Sequence, residues 1–306
     1  MTPPKPPFRS LRLMERPYLL LCLTMLFWAG NIVIGRYAAG QIPPMALSYL
    51  RWQLAFLTLL PFALSDLVED WPVIRQNLGP MIVLSFTGVA TFNTLSYWSL
   101  QYTTALNALL LQSSGPLYVA LFALVLFNVR LTWMQAFGIV ISLMGVLTII
   151  LQGRLSALLQ IHFNKGDIGY TVALFVFGFY SALASRRLAL KQLSFLAFNC
   201  GVGSLFILPL FLWEMYTGRV TSLNAHTIPV LVYVAIFPST LAYLFYNRGI
   251  ELIGANRSAP FLHLIPVFGS VMAIGLLGEE LHLYHIVGYA LVFAGVVIAA
   301  RKPKQA

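Results

Sequence analysis

Apolar runs of about 20 residues, separated by short polar segments, repeat along the whole chain. A transmembrane helix needs roughly 20 apolar residues, so each run is long enough to cross a bilayer. The predicted helices are 17–38, 44–65, 78–100, 104–127, 132–151, 167–187, 194–216, 227–248, 255–277 and 281–300. The longest predicted loops are Asp66–Asn77, Gln152–Gly166 and Thr217–His226. The pattern predicts an all-α integral membrane protein with ten transmembrane helices.

Composition supports this class. The chain has 306 residues, of which 59% are hydrophobic and only 9% are charged, whereas a soluble domain carries about 25% charged residues. The formal net charge of +10 therefore reports membrane orientation and gives no reason to expect nucleic acid. Cys22 and Cys200 lie in apolar runs without metal-ligand spacing, so neither a metal nor a cofactor is expected.

The distribution of Lys and Arg predicts the orientation. If the N-terminus is cytoplasmic, 14 of the 19 Lys and Arg residues fall on the cytoplasmic side and four on the other. Cytoplasmic loops of membrane proteins carry such an excess of positive charge. An even number of helices then places both tails, residues 1–16 and 301–306, in the cytoplasm.

Four small or helix-bending residues recur at an offset of 150 positions. Ala105, Pro116, Gly138 and Gly145 return as Ala255, Pro266, Gly288 and Gly295. A fixed internal offset indicates a duplicated structural unit, here 17–151 and 167–300 joined by a linker, 152–166. Because each unit holds five helices, an odd number, the second unit is predicted to be inverted relative to the first. Inverted repeats are typical of secondary transporters, which bind substrate near the midplane.

Proline positions predict bends in two of the helices. Pro116 leaves the carbonyl of Gln112 without its helical donor, and Pro260 and Pro266 do the same in the ninth helix. A free carbonyl in hydrocarbon is costly unless it faces protein or a wet cavity. The bends therefore favour cavity-lining helices that flex during gating, with a simple packing kink as the alternative.

Polar and aromatic side chains at mid-span predict a binding pocket between these bends. Residues of this kind at that depth usually face the bundle interior, and such a lining suits an amphipathic, partly aromatic solute. The predicted substrate-binding residues are Trp28, Asn31, Asn93, Tyr97, Gln112, Ser113, Tyr180, Tyr243, Tyr246 and His263. The glycine pairs in the fifth and tenth helices, seven residues apart, are predicted to serve helix packing.

Charged residues inside the spans are few. Arg51 is the one cation well inside a span; it either binds a substrate carboxylate or extends to the membrane interface. All nine acidic residues lie in loops or at span ends, so no mid-membrane carboxylate is available for proton coupling. His263 is the single mid-span group that titrates near neutral pH, and passive or weakly coupled transport is expected.

Several motifs resemble the drug/metabolite transporter superfamily, in its EamA-type branch. The resemblance covers about residues 17 to 300 and rests on Phe27–Asn31, Arg51, the repeated proline and glycine positions, and Leu277–Glu280. The chain looks most like the YddG group of bacterial amino-acid exporters. That resemblance implies a basket of helices around a central cavity, alternating access, and export of neutral or aromatic amino acids across a bacterial inner membrane.

Two other functions stay open at this stage. A transporter of the same fold for drugs or sugar-linked metabolites fits the same pattern. A lipid-modifying membrane enzyme is the rival of a different class, since His282 and His285 lie near Glu279 and Glu280. We expect no enzyme, because inverted halves serve alternating access directly. The expected partners are a small-molecule substrate and the lipid bilayer, and the sequence is compatible with a monomer.

Overall fold

The structure, a computed structural model, describes residues 12–127, 133–153, 164–185, 188–254 and 258–299. Within these ranges all regular structure is helical. The helices are α1 Pro17–Tyr37, α2 Pro44–Gln76, α3 Leu78–Ser99, α4 Ala105–Phe127, α5 Trp133–Ile150, α6 Lys165–Ala184, α7 Gln192–Tyr216, α8 Thr227–Ile253, α9 Leu264–Leu277 and α10 Leu283–Ala299. The predicted tails and most of the predicted linker lie outside the described residues, as do Ala255 and Arg130.

Seven of these helices, α1 to α4 and α6 to α8, are long and apolar enough to cross a membrane. The apolar helices α5, α9 and α10 are shorter, at 10 to 17 residues for their apolar parts. The predicted all-α membrane fold is confirmed, while ten membrane crossings remain a prediction.

Helix α2 is longer than its predicted span. It runs for 33 residues, or about 50 Å at 1.5 Å per residue, which exceeds a hydrocarbon core of about 30 Å. The prediction of a loop at Asp66–Asn77 is therefore wrong. The hydrophobic pattern ends where the carboxylates begin, but a helix continues beyond the bilayer when its charges are solvated or paired. Lys191 Nζ lies 3.1 Å from Asp66 Oδ1 and also bonds Glu69.

Both helices with predicted bends are interrupted, at equivalent positions. In α4 the α-helical geometry stops at Gln112 and resumes at Gly115. Before α9 a 3₁₀ turn covers Ala259–His263, and α-helix begins at Leu264. Each break comes two to three residues before a proline, where the missing N–H and the ring clash weaken the preceding turn. The side chain of Pro260 lies outside the described residues.

Two wide turns of π-helix lie at equivalent positions in α3 and α8. They cover Ser85–Thr91 and Phe237–Leu241; the second segment coincides with the end of the first after the 150-residue offset. The sequence pattern does not reveal them. Such π-bulges re-aim side chains and are frequent at functional sites, and both lie beside the cavity described below.

Equivalent helices of the two units run antiparallel. The backbone of Gly145 packs against that of Gly288, and Gly138 packs against Gly295. From one contact to the next, the residue number falls along α5 and rises along α10, so the two helices run in opposite directions. Because α10 is the predicted repeat of α5, this antiparallel contact is the arrangement that inverted units require.

Helices α2 and α7 show the same antiparallel relation, with reciprocal carboxylate caps. Glu214 Oε2, near the end of α7, accepts a hydrogen bond of 2.8 Å from the backbone N–H of Ala46 at the start of α2. Asp70 Oδ2, near the end of α2, accepts one of 2.8 Å from the backbone N–H of Lys191 at the start of α7. Each carboxylate satisfies a helix N-terminus whose first N–H groups lack helical partners.

Candidate functional site

A central cavity of about 710 Å³ lies between the two units. Its volume falls within the range of small-molecule sites. All ten predicted substrate-binding residues line it, as do Pro116 and Pro266. No described side chain of α5 or α10, the helices that hold the four packing glycines, lines the cavity. The structure therefore brings the predicted residues together, and their binding of substrate stays a prediction.

Arg51 is the feature that sequence reasoning left unresolved. Its side chain is only 3% exposed and lines the cavity, so it does not extend to the membrane interface. Its Nε donates to Ser239 Oγ at 2.6 Å, and Nη1 donates to Asn93 Oδ1 at 3.0 Å and to the Tyr97 hydroxyl at 2.9 Å. The guanidinium also lies 4.6 Å from the centre of the Trp52 ring. All of these partners are neutral.

Backbone geometry fixes the partners of Arg51. The amide nitrogen of Asn93 donates to the carbonyls of Gly88, at 2.9 Å, and Val89, at 3.1 Å, both in the π segment of α3. Ser239 Oγ, in the π segment of α8, donates to the carbonyl of Val234 at 2.7 Å. With their donors occupied in this way, both side chains present an oxygen lone pair to the guanidinium. The two π segments thus orient the side chains that bond Arg51.

Tyr97 connects Arg51 to α1. Its hydroxyl accepts from Arg51 and donates to Asn31 Oδ1 at 2.7 Å. Tyr97 is only 2% exposed, so this chain of hydrogen bonds is shielded from bulk water. The amide oxygen of Asn31 is therefore committed to Tyr97 at the cavity wall.

Aromatic rings form the wall near the start of the second π segment. Trp28 Nε1 donates to the carbonyl of Pro238 at 3.2 Å. Its ring centre lies 5.2 Å from that of Tyr246 and 5.7 Å from that of Tyr243. Since Pro238 and Ser239 are neighbours in the chain, the aromatic wall and the Arg51 site are anchored to the same turn of α8.

The interrupted helix α4 supplies an amide and a hydroxyl to the cavity. Gln112 Oε1 accepts from the hydroxyl of Tyr170 at 3.1 Å, and Ser113 Oγ donates back to the carbonyl of Leu109 at 3.4 Å. His263, at the equivalent break before α9, stacks its ring edge-on against Phe293 at 4.9 Å. The breaks therefore bring polar side chains to the cavity from both units.

The cavity is closed at one end of the bundle. Arg36 Nη1 donates to the carbonyl of Leu100 at 2.9 Å, which ties the end of α1 to the end of α3. Leu100 is 1% exposed. The side chain of Gln101 accepts from the backbone N–H of Gly40 at 3.1 Å in the same layer.

A buried polar cluster joins α4, α6 and α10 at this closed end. Asp167 accepts from the Thr103 hydroxyl and from Asn107 Nδ2, the latter at 3.1 Å. Asn107 Oδ1 then lies 2.9 Å from His285 Nε2. His285, one of the two histidines that kept an enzyme open as an alternative, is thus bonded to an amide. The carboxylate of Glu279 accepts from the backbone N–H groups of Ala105 and Leu106, which start α4.

At the other end the cavity reaches the segment between α6 and α7. Leu188, Leu190 and Gln192 belong to its lining and are partly exposed. Lys191 stands at this mouth, where hydrogen bonds to Glu69 and Asp66 raise the pKa of its ammonium group. The cavity therefore has one end where hydrogen bonds join the surrounding helices and one end near the surface.

Some lining residues were missed from the sequence. Tyr170, Phe92 and Asn199 line the cavity although no motif singled them out. Neighbours on one helix face are readable from spacing, but which face meets the cavity depends on how the helices pack.

Comparison with known proteins places this cavity in a functional context. The sequence profile of the EamA-like transporter family matches residues 16–151 and again residues 164–301. The chain belongs to the EamA-like transporter family. This EamA-like transporter is therefore a multi-pass membrane protein.

Its relatives carry transporter names. It is 26% identical to the "Uncharacterized transporter YyaM" of Bacillus subtilis, over 92% of this chain and 93% of that protein. It is 27% identical to an "Uncharacterized transporter" of Archaeoglobus fulgidus, over 95% and 99%. It is 28% identical to a "Probable terminal-alkyne amino-acid exporter" of Streptantibioticus cattleyicolor, over 92% of each.

A solved crystal structure aligns with this EamA-like transporter at a TM-score of 0.61 and 18% identity, over 93% of this chain and 95% of the other. At that identity the likeness concerns the fold alone.

Proposed function

We propose that this EamA-like transporter exports small neutral amino acids, aromatic or otherwise amphipathic, by alternating access through the central cavity. The cavity carries the proposal. It places amide and hydroxyl groups beside a cluster of aromatic rings, and such a lining matches a solute with a polar end and an apolar end. A relative named as an amino-acid exporter adds support.

The orientation belongs to the same proposal. The excess of Lys and Arg on one side supports a cytoplasmic location for both termini, and the membrane we propose is a bacterial inner membrane. The open end of the cavity, beside Leu188 and Gln192, is then cytoplasmic, and the end where hydrogen bonds join the helices faces outward. In this state the exporter accepts cargo from the cytoplasm. Release requires the Arg36–Leu100 contact and the polar cluster around Asp167 to separate.

We propose passive transport, driven by the substrate gradient. No carboxylate occurs among the described residues that line the cavity, and His263 is the lining residue whose ordinary pKa lies nearest neutrality. A proteoliposome assay with an imposed proton gradient tests this point. We expect flux to persist without the gradient. Strict dependence on the gradient that survives His263→Ala would contradict passive transport.

The substrate class is tested by counterflow. Purified protein in liposomes loaded with unlabelled amino acid is offered a panel of labelled amino acids, with empty liposomes as the control. We expect accumulation of phenylalanine and other neutral amino acids above the control. Accumulation of none of them would remove the amino-acid proposal and leave drugs or sugar-linked metabolites as the cargo to examine.

A further inference from the structure

Arg51 is a charge without a counter-ion. Every group that bonds it is neutral, and the lining of the cavity contains no other formally charged side chain among the described residues. Removing a guanidinium from water is costly unless an opposite charge or a full set of hydrogen bonds compensates it. The neutral partners engage Nε and Nη1 only.

Two hydrogen-bond donors, Arg51 Nη2 and Trp52 Nε1, have no acceptor among the described residues. No described residue accepts a hydrogen bond from Arg51 Nη2. Trp52 is 1% exposed and also lines the cavity, and its Nε1 has no hydrogen-bond partner among the described residues. Arg51 Nη2 is not among the buried atoms without a partner, and Arg51 lines the cavity, so an acceptor inside the cavity can reach this donor. Trp52 Nε1 is buried, and since buried donors are nearly always paired, it adds to the unmet donor capacity around Arg51.

A carboxylate is the group that fits the guanidinium of Arg51. It carries the charge that Arg51 lacks and offers two oxygens, and a guanidinium recognises it by charge-assisted hydrogen bonds. An amine or any other cation would instead be repelled by Arg51, since no acid in the described lining offsets it.

We propose that Arg51 forms a subsite for the carboxylate of the substrate, so that the transporter selects acids and zwitterions and rejects amines. The aromatic rings of Trp28, Tyr243 and Tyr246, anchored beside Ser239, then contact the apolar part of the substrate. This inference rests on the proposed function for the identity of the cargo, but the subsite itself is testable without transport.

Binding is measured first, by the thermal stability of the purified protein. The probes are 3-phenylpropionate, which lacks the amino group, phenethylamine, which lacks the carboxylate, and phenylalanine. We expect the acid and phenylalanine to raise the melting temperature at concentrations at least about tenfold lower than phenethylamine. Equal protection by the amine would overturn the subsite. Protection by chloride alone equal to that by the acid would also overturn it, because it shows a site for a small inorganic anion.

The same three compounds then compete in the counterflow assay. If no amino acid is transported but the acid alone protects the protein, the proposed function fails and the subsite stands. If amino acids are transported and phenethylamine competes as well as 3-phenylpropionate, the subsite fails and the proposed function stands.

Asn31→Asp is the decisive variant. The aspartate keeps an oxygen that accepts from the Tyr97 hydroxyl, and that hydroxyl also accepts from Arg51. The variant therefore supplies an internal carboxylate that is linked to the guanidinium through Tyr97. We expect the variant to fold and to bind 3-phenylpropionate at least about tenfold more weakly.

Asn77→Asp, the same change at the junction of α2 and α3 away from the cavity, serves as the control and should bind normally. Undiminished binding of the acid to Asn31→Asp would refute the role of Arg51. Loss in Asn77→Asp as well would refute it too, because the effect would then be one of overall charge.

Discussion

The substitution Gly145→Ala, at the contact between α5 and α10, should destabilise the protein. A Cβ atom added at Gly145 would lie 2.7 Å from the carbonyl oxygen of Gly288 and 2.7 Å from the backbone nitrogen of Val292. Both atoms belong to the backbone of α10, so neither can rotate away. The helices must separate by several tenths of an ångström to restore ordinary contact.

Two opposing effects set the size of the change. Replacing a helical glycine by alanine stabilises a helix by about 0.5–1 kcal/mol. Overpacking a well-fitted contact costs about 1–3 kcal/mol. At Gly145 the cost of overpacking exceeds the gain in helix stability. At Gly275, in α9, an added Cβ meets nothing within 4 Å, so Gly275→Ala has the gain alone. We expect the two variants to differ by about 1–3 kcal/mol in free energy of unfolding.

The assay is thermal unfolding of the two purified variants in the same detergent, followed by transport in liposomes. A difference of this size corresponds to a few degrees in melting temperature, with Gly145→Ala the lower. Since none of the side chains described in α5 and α10 lines the cavity, substrate affinity of the folded fraction should stay within about twofold of wild type. A Gly145→Ala protein as stable as Gly275→Ala, or a large change in affinity, would refute the packing interpretation.

Three further substitutions test the site and its supports. Pro116→Ala should restore helix across the break in α4 and slow flux more than it weakens substrate affinity, as measured in liposomes; unchanged flux would leave Pro116 a packing residue. Tyr97→Phe removes the hydroxyl between Arg51 and Asn31 and should lower the free energy of unfolding by about 1–3 kcal/mol; a melting temperature equal to that of wild type would contradict this. Glu279→Gln should lower the free energy of unfolding by about 1 kcal/mol because it weakens the cap of α4; a melting temperature equal to that of wild type would contradict this role of Glu279.

The order of helices follows from hydrophobicity, and that is why it was predictable. Apolar runs of sufficient length must become helices in a bilayer, because each backbone polar group then bonds within its own segment. The end of α2 was not predictable by the same rule. Its last turns carry Asp66, Glu69 and Asp70, and whether such residues form a loop or a helix depends on a partner, Lys191, that is 121 residues from Asp70 in sequence.

Many residues of the site were also predictable from the sequence. Polar and aromatic residues at mid-span avoid lipid, so Asn93, Tyr97 and Gln112 turn inward. The break residues Ser113 and His263 follow from proline chemistry and the repeat offset. Residues of ordinary character, such as Phe92 and Tyr170, gave no such signal because an aromatic ring is equally stable against lipid or against a helix.

Sequence alone thus determined the membrane class, and it predicted the duplication, its inversion and a set of polar and aromatic residues that all line the cavity. Each of these predictions follows from hydrophobic length, charge asymmetry, mid-span polarity or a fixed repeat offset. Tertiary structure alone decided the role of Arg51. In the sequence it is one cation near the start of a span, free to extend to the interface. In the folded protein the π segments of α3 and α8 bring Asn93 and Ser239 to its sides. Long-range packing therefore turns that cation into a buried charge that lines the cavity. Its hydrogen-bond partners among the described residues are all neutral.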